Sequence, residues 1–262
     1  MNPHGAGAAW RGVAEAYARS FAGQCAHTVA PLVDALGVTP RGAWLDVGTG
    51  AGAVAARAVR LGWQVVAADP AADMLRLARS AAPGAALVRT ALPDLPFADG
   101  SFTAVSANFV LNHVPDTTAA VTELARVTGP GGRVGVTVWP SAPYPLRTLW
   151  DEVIAAAGVV APGGEPAPGT GSPEDLAGLL ASCGLWPEQA WLHTFTHVVD
   201  PGVWWSGATG GVARIGQVYL GHDERGRAAL ASAFHRCSAR YLGTDGRLRL
   251  AGAAVVAVAV RE

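Results

Sequence analysis

The sequence contains no lysine. All 19 basic residues among its 262 are arginine, which excludes Schiff-base chemistry and a P-loop lysine, since both need an amine. Charge of either sign is scarce: 15% of residues are charged and the net charge is −1. With no run of Arg and no basic channel bearing a stacking platform, nothing points to a nucleic-acid partner. Cysteine is rare too. Cys25, Cys183 and Cys237 are far apart and odd in number. They fit a reduced, cytoplasmic protein better than a disulfide framework, and no CxxC or Cys/His spacing supports a metal. Long hydrophobic runs are missing. The longest, Ala251 to Val260, is too short to span a bilayer and reads as a buried strand. Residues Met1 to Gly5 carry no apolar stretch of signal-peptide type.

Half of the residues are hydrophobic, enough for one large core in a single domain of 1–262. Residues 10–36 have apolar positions at helical spacing, so 1–40 is expected to be a helical cap. A β/α alternation follows over 41–139. Strands are expected at Ala43–Val47, Gln64–Ala68, Ala86–Arg89, Thr103–Ala107 and Arg133–Trp139, with helices between most of them. Such alternation predicts an α/β fold with a doubly wound, mostly parallel sheet. A Pro- and Gly-rich segment at 140–172 encloses one helix near Leu146–Ala157. Ser172, Pro173 and Asp175 then form a helix start. Residues 191–199 read as a sixth strand, 202–241 as mostly helical, and Leu248–Val260 as a seventh strand within 247–262.

The chemistry centres on "WLDVGTGAGAV", residues 44–54. Gly48, Gly50 and Gly52 end a strand and open a helix, and Ala53 lets the turn pass the dinucleotide fingerprint as well. Asp69, 21 residues after Gly48, stands where an acid would take a ribose hydroxyl. Glycines and acid together do not separate a nicotinamide enzyme from a nucleoside-binding one. Asp46 does more. A carboxylate just before the turn would repel a pyrophosphate but tolerates a cationic ligand without phosphate. The alternative is that Asp46 serves the backbone amides of the turn.

Downstream lie LPF-x-DGSF at 95–102, L-x-H-V-x-D at 111–116 and L-x-R-V-x-x-PGG at 124–132. With DxGxGxG at 46–52, this order resembles the class I S-adenosylmethionine-dependent methyltransferases, in the small-molecule branch that includes quinone-type enzymes. The likeness covers residues 10–139 well and the rest in layout. It implies a seven-stranded Rossmann-like fold and S-adenosylmethionine as cofactor. Gly48, Thr49, Gly50 and Gly52 would pass under its methionine part. Asp69, with Pro70 beside it, would take the ribose diol, and Met74, Ala91 and Leu92 would flank the adenine. Asn108 would sit by the sulfonium and amino group, with Tyr17 and Phe21 as an N-terminal cap. Two departures stand out: Ala91 replaces an adenine-binding Asp, and Ser101-Phe102-Thr103 replaces SFD.

His113 is a candidate general base, against the reading that it packs its loop. His193 and His197 would share a metal only on a helix, because strand spacing separates them by about 13 Å. They are otherwise exposed sheet-edge histidines, one of them free to line a pocket. Tyr144, His193, Trp204 and Trp205 are candidates for an acceptor pocket, with 140–172 and 200–246 as lid segments; the aromatic residues are alternatively plain helix packing. The expected function is methyl transfer to a small, apolar or aromatic acceptor on O, C or N, by a monomer or homodimer with no metal and no membrane partner. The alternatives are a sulfonium-assisted cyclisation or elimination and a nicotinamide-dependent oxidoreductase.

Overall fold

The chain folds around one seven-stranded sheet, seen in a computed structural model that describes residues 10, 12–37, 40, 42–161 and 171–262. The rest of the expected cap and of the 140–172 segment lies outside the described residues. The strands are β1 (Ala43–Val47), β2 (Gln64–Ala68), β3 (Ala86–Val88), β4 (Phe102–Asn108), β5 (Thr128–Val138), β6 (Trp186–Val199) and β7 (Leu248–Val260). Their order is β3-β2-β1-β4-β5-β7-β6. β7 runs antiparallel to both neighbours, and the other pairs are parallel. The chain steps outward from β1 to β3, then returns to β4 on the other side. The β1–β4 seam is therefore the switch point, and the crevice beyond its carboxyl ends is where such sheets bind ligands.

Helices α1 (Ala14–Arg19), α2 (Ala22–Cys25) and α3 (Val29–Leu36) precede the sheet, followed in it by α4 (Ala53–Arg60), α5 (Ala72–Ala81) and α6 (Thr117–Val127). α7 (Pro145–Ala157) and α8 (Pro173–Ser182) come before β6, and α9 (Pro201–Thr209), α10 (Ala213–Leu220) and α11 (Glu224–Ser238) before β7. One sheet face packs on α6 and α8 through Val121, Leu124, Leu176 and Leu180. The opposite face packs on α3 and α4 through Leu32, Leu36, Val54 and Ala58. A third apolar cluster, with Leu149, Val153, Trp204, Ile215 and Phe234, joins α7 to α9, α10 and α11 above the carboxyl ends.

Two strands start earlier than the sequence suggests, and the N-terminal helical segment is subdivided. The helical segment 10–36 is divided into three helices and a 3-10 turn, because Ser20 closes α1 and Phe21 turns inward to 3% exposure. β6 begins at Trp186, since Trp186 and Pro187 pair with Val260 and Ala259. Pro187 hid that extension, because a proline argues against a strand except at an edge, which β6 is. β5 begins at Thr128, paired with Phe102 across a register shift that the Gly-Pro-Gly-Gly run obscures.

Candidate active site

The glycine turn sits at the tip of β1. Thr49 donates its backbone N–H to the Ala68 carbonyl at 3.0 Å, and Gly52 donates to the Thr49 carbonyl at 2.8 Å. Gly48, at φ +64°, and Gly52, at φ +88°, are left-handed. A Cβ on Gly48 would stand 2.4 Å from the Val110 methyl, and one on Gly52 would stand 2.9 Å from the Ala78 backbone. Glycine is thus required here both by conformation and by space.

Asp46 lies beneath this turn and does not reach the cavity. It is 1% exposed. Its carboxylate accepts from the Thr49 hydroxyl at 2.7 Å, the Ala55 amide at 3.2 Å and the Ser106 hydroxyl at 2.7 Å. Ser106 in turn accepts from the indole of Trp44, which is fully buried. Burial pushes the Asp46 carboxyl up to about 6, against these three donors. Of the two readings of Asp46, the structure supports the one in which it serves the turn. Thr49 and Gly52 likewise shape the turn and do not line the cavity.

Asp69 does face the cavity. One oxygen accepts from the Gly50 amide and the other from the Ala71 amide, both at 2.9 Å. Each oxygen keeps a second lone pair on a residue that lines the space. Burial raises its carboxyl above the ordinary value, opposed by those two amides.

The cavity has two joined chambers. The first, of about 170 Å³, is lined by Tyr17, Phe21, Gly48, Gly50, Asp69 and Pro70, and further by Met74, Ala91, Leu92, Asn108 and His113. The structure thus gathers most of the residues singled out in the sequence. The second chamber, of about 490 Å³, is walled by Tyr144, Leu146, Arg147, Trp150 and Ile154 of the α7 region, with Asp151 and Arg214. Phe21, Gln24, His113, Trp139 and Ala213 line both and mark the junction.

Asn108 is held by its own network. Its amide oxygen accepts from the Thr28 hydroxyl at 2.8 Å and the Thr137 hydroxyl at 2.6 Å. Its amide nitrogen donates to the Cys25 carbonyl at 3.4 Å, which leaves one N–H for the cavity. A remaining donor suits a carboxylate more than a sulfonium or ammonium group. His113 packs edge-on against Trp10 at 5.2 Å between ring centroids. Burial lowers its basicity, so it is neutral at neutral pH.

Three pocket candidates are placed elsewhere. Trp204 is fully buried, with Phe21 and Trp150 standing between it and the chambers. Trp205 packs on Trp150, Tyr219 and Phe234. Both belong to the α9 face that closes the third cluster, so plain packing is the role the contacts support. His193 lies on β6, two strands beyond β5, and lines neither chamber. The His193–His197 segment is strand, so the helical condition for a shared metal is not met. His197 is buried rather than exposed and sits 3.2 Å from His27. Sequence reasoning missed Trp10, Gln24, Trp139, Arg147 and Trp150. Trp139 alone carried a signal, the end of a parallel strand, where such folds bind ligands.

Residues 45–136 match the methyltransferase domain family. The demethylmenaquinone methyltransferase of Beutenbergia cavernae is 31% identical over 185 residues, covering 70% of this chain and 75% of the relative. That of Streptomyces avermitilis is 32% identical over 189 residues, covering 71% and 79%. The chain belongs to the class I S-adenosylmethionine-dependent methyltransferases. Solved structures share the fold. A putative methyltransferase from Bacillus halodurans superposes with a TM-score of 0.59 at 18% identity, covering 89% of this chain and 98% of that one. The geranyl diphosphate C-methyltransferase of Streptomyces coelicolor, solved with S-adenosyl-L-homocysteine, superposes at 0.50 with 18% identity, covering 90% and 77%. The methyltransferase uses S-adenosylmethionine and acts on a small molecule. The donor set of the first chamber fits that cofactor: a carboxylate with two free lone pairs, bare glycine backbone and an apolar wall, with no phosphate-binding cation among the lining residues. Among the described residues no helix is long and apolar enough to cross a membrane.

Proposed function

We propose that the methyltransferase methylates a small, largely apolar, ring-bearing acceptor seated in the second chamber. The observation that carries this reading is the junction: two chambers of different lining meet at Phe21, Gln24, His113 and Trp139. When bound, S-adenosylmethionine supplies an electrophilic methyl group on a sulfonium centre. The chain has to hold acceptor and methyl in line and exclude water, which is mostly positioning.

In this reading Asp69 takes the ribose diol, Met74, Ala91 and Leu92 flank the adenine, and the Gly48 and Gly50 backbone lies under the methionine part. The Asn108 amide nitrogen faces its carboxylate end. Tyr17 and Phe21 cover the site from the N-terminal helices, and the described residues of the 140–172 and 200–246 segments supply acceptor contacts. Tyr144, kept neutral by burial that pushes its hydroxyl above the ordinary value, joins the acceptor wall. His113 is the base. Among the titratable groups at the junction it alone combines a neutral, proton-accepting nitrogen with access to both chambers. It accepts the proton that an acceptor hydroxyl or amine loses as its heteroatom bonds to the methyl carbon.

The test is ligand selectivity followed by product mass. S-adenosylhomocysteine should raise the melting temperature where NAD does not. Incubation of S-adenosylmethionine with a panel of phenols, quinols and aryl amines should give a product 14 mass units heavier. Stabilisation by NAD alone would return the dinucleotide alternative. Consumption of an acceptor without mass gain would indicate sulfonium-assisted cyclisation or elimination.

A further inference from the structure

The second chamber is apolar over most of its wall but is not uncharged. Phe21, Trp139, Tyr144 and Trp150 supply the aromatic surface. Three residues of unambiguous charge also line it: Arg147, Asp151 and Arg214. Arg214 donates to the Asp151 carboxylate at 2.8 Å, so these two cancel. Arg147 has no carboxylate partner among the described residues. Its one hydrogen bond there is a long one, 3.3 Å to the Pro140 carbonyl. His113 is neutral because burial lowers its basicity. Among the described residues the lining of this chamber therefore carries one positive charge, on a guanidinium most of whose five N–H donors are unused there.

A guanidinium fork beside aromatic walls is a recognition element with defined chemistry. It matches the two oxygens of a carboxylate with parallel N–H bonds. A single positive charge balances a monoanion, whereas a phosphate monoester near neutral pH would bring up to two negative charges. An Arg on α7 is also held on a rigid helix. Pro145 opens that helix, and Leu146 and Leu149 anchor it in the third cluster.

Resting on the methyltransferase reading of the junction, we infer that the acceptor is an aromatic carboxylic acid whose ring lies against Trp139 and Tyr144 and whose carboxylate pairs with Arg147. Arg147 is then the residue that sets acceptor class, holding the ring so that its reactive atom points to the junction.

The experiment is calorimetric titration of the protein saturated with S-adenosylhomocysteine. The probes are benzoic, 2-naphthoic and anthracene-2-carboxylic acids, each paired with its neutral primary amide. The tightest acid should bind at least about 10-fold more strongly than its amide, as one charge-assisted pair at a part-exposed site provides. In Arg147→Gln that preference should fall to within about threefold while amide affinity holds. Arg147→Lys should restore part of the preference, because charge returns without the fork. Equal binding of acid and amide overturns the inference, as does a preference that survives Arg147→Gln or failure of every probe to bind. S-adenosylhomocysteine binding is read first: if it fails, the methyltransferase reading falls, and if it holds, only the acceptor assignment is at stake.

Discussion

Removing the Asp69 carboxylate is the sharpest perturbation of the cofactor chamber. Its two oxygens already accept from Gly50 and Ala71 at 2.9 Å, so one lone pair on each is left for a ligand. A cis-diol would fill both. Charge-assisted bonds are worth about 1.5–3 kcal/mol each, but the free carboxylate is hydrated, so the two together should not exceed that range by much. Asp69→Ala is expected to weaken S-adenosylhomocysteine binding by about 1.5–3 kcal/mol, or roughly 10- to 150-fold in Kd. The same change strips two backbone amides of their acceptor, so melting temperature should also fall. Asp69→Asn separates the effects, since it keeps the shape and one acceptor oxygen while losing the charge. The assay is isothermal calorimetry beside a thermal melt of each variant. Both variants binding within twofold of wild type, with cooperative melting intact, would refute the ribose assignment. Burial adds a pH signature. The ionised form is the one that binds, and its pKa is raised, so affinity should fall on acidification sooner than for an ordinary aspartate.

Asp46 should behave differently. Raised to about 6 from 3.8, it costs the fold roughly 3 kcal/mol at neutral pH through burial of charge. Its contribution is present below about pH 4 and is lost as pH rises through about 6. His197 opposes this: lowered to about 4, it adds stability as pH rises from 4 to 6.5. Denaturant titrations of Asp46→Asn minus wild type should isolate the first effect as a stability difference that grows in favour of the variant over pH 4–6; a flat difference would contradict the buried charge. For His113, the loss of the base in His113→Ala should reduce methyl transfer to a hydroxyl acceptor by about 100-fold or more, well beyond its effect on S-adenosylhomocysteine affinity. Because burial lowers its pKa, wild-type activity should persist below pH 6.5 before it falls; an acid limb above 6.5 would exclude His113. Trp204→Ala should destabilise the fold by about 3–5 kcal/mol, measured by urea unfolding. A variant of unchanged stability but altered acceptor KM would restore Trp204 to the pocket.

Much of the fold was legible because its signals are local. The β/α alternation, the glycine turn and the Ser172 helix start each lie within a few residues of sequence. What escaped was the pairing of distant segments. Pro187 and the Gly129–Gly132 run look like breaks until β7 and β4 are laid beside them. Among the candidate site residues, Asp69 was findable from its distance to the turn, whereas Met74 and Leu92 came from the family resemblance alone. Arg147 and Trp150 were found by neither, because α7 has no motif and its position over the junction depends on packing against α11 and β7.

The sequence by itself determined the sheet's alternation, the strand-to-helix turn and the acids around it, since spacing along the chain is enough to specify a backbone that needs glycine and a carboxylate near it. Tertiary structure alone decided what those residues do. Asp46 and Asp69 are the same side chain, each beside the glycine turn. Ser106 and Thr49 enclose the first, while the second opens on a cavity. Burial, set by neighbours 60 residues away in the chain, separates a support for the turn from a group able to hold a ligand.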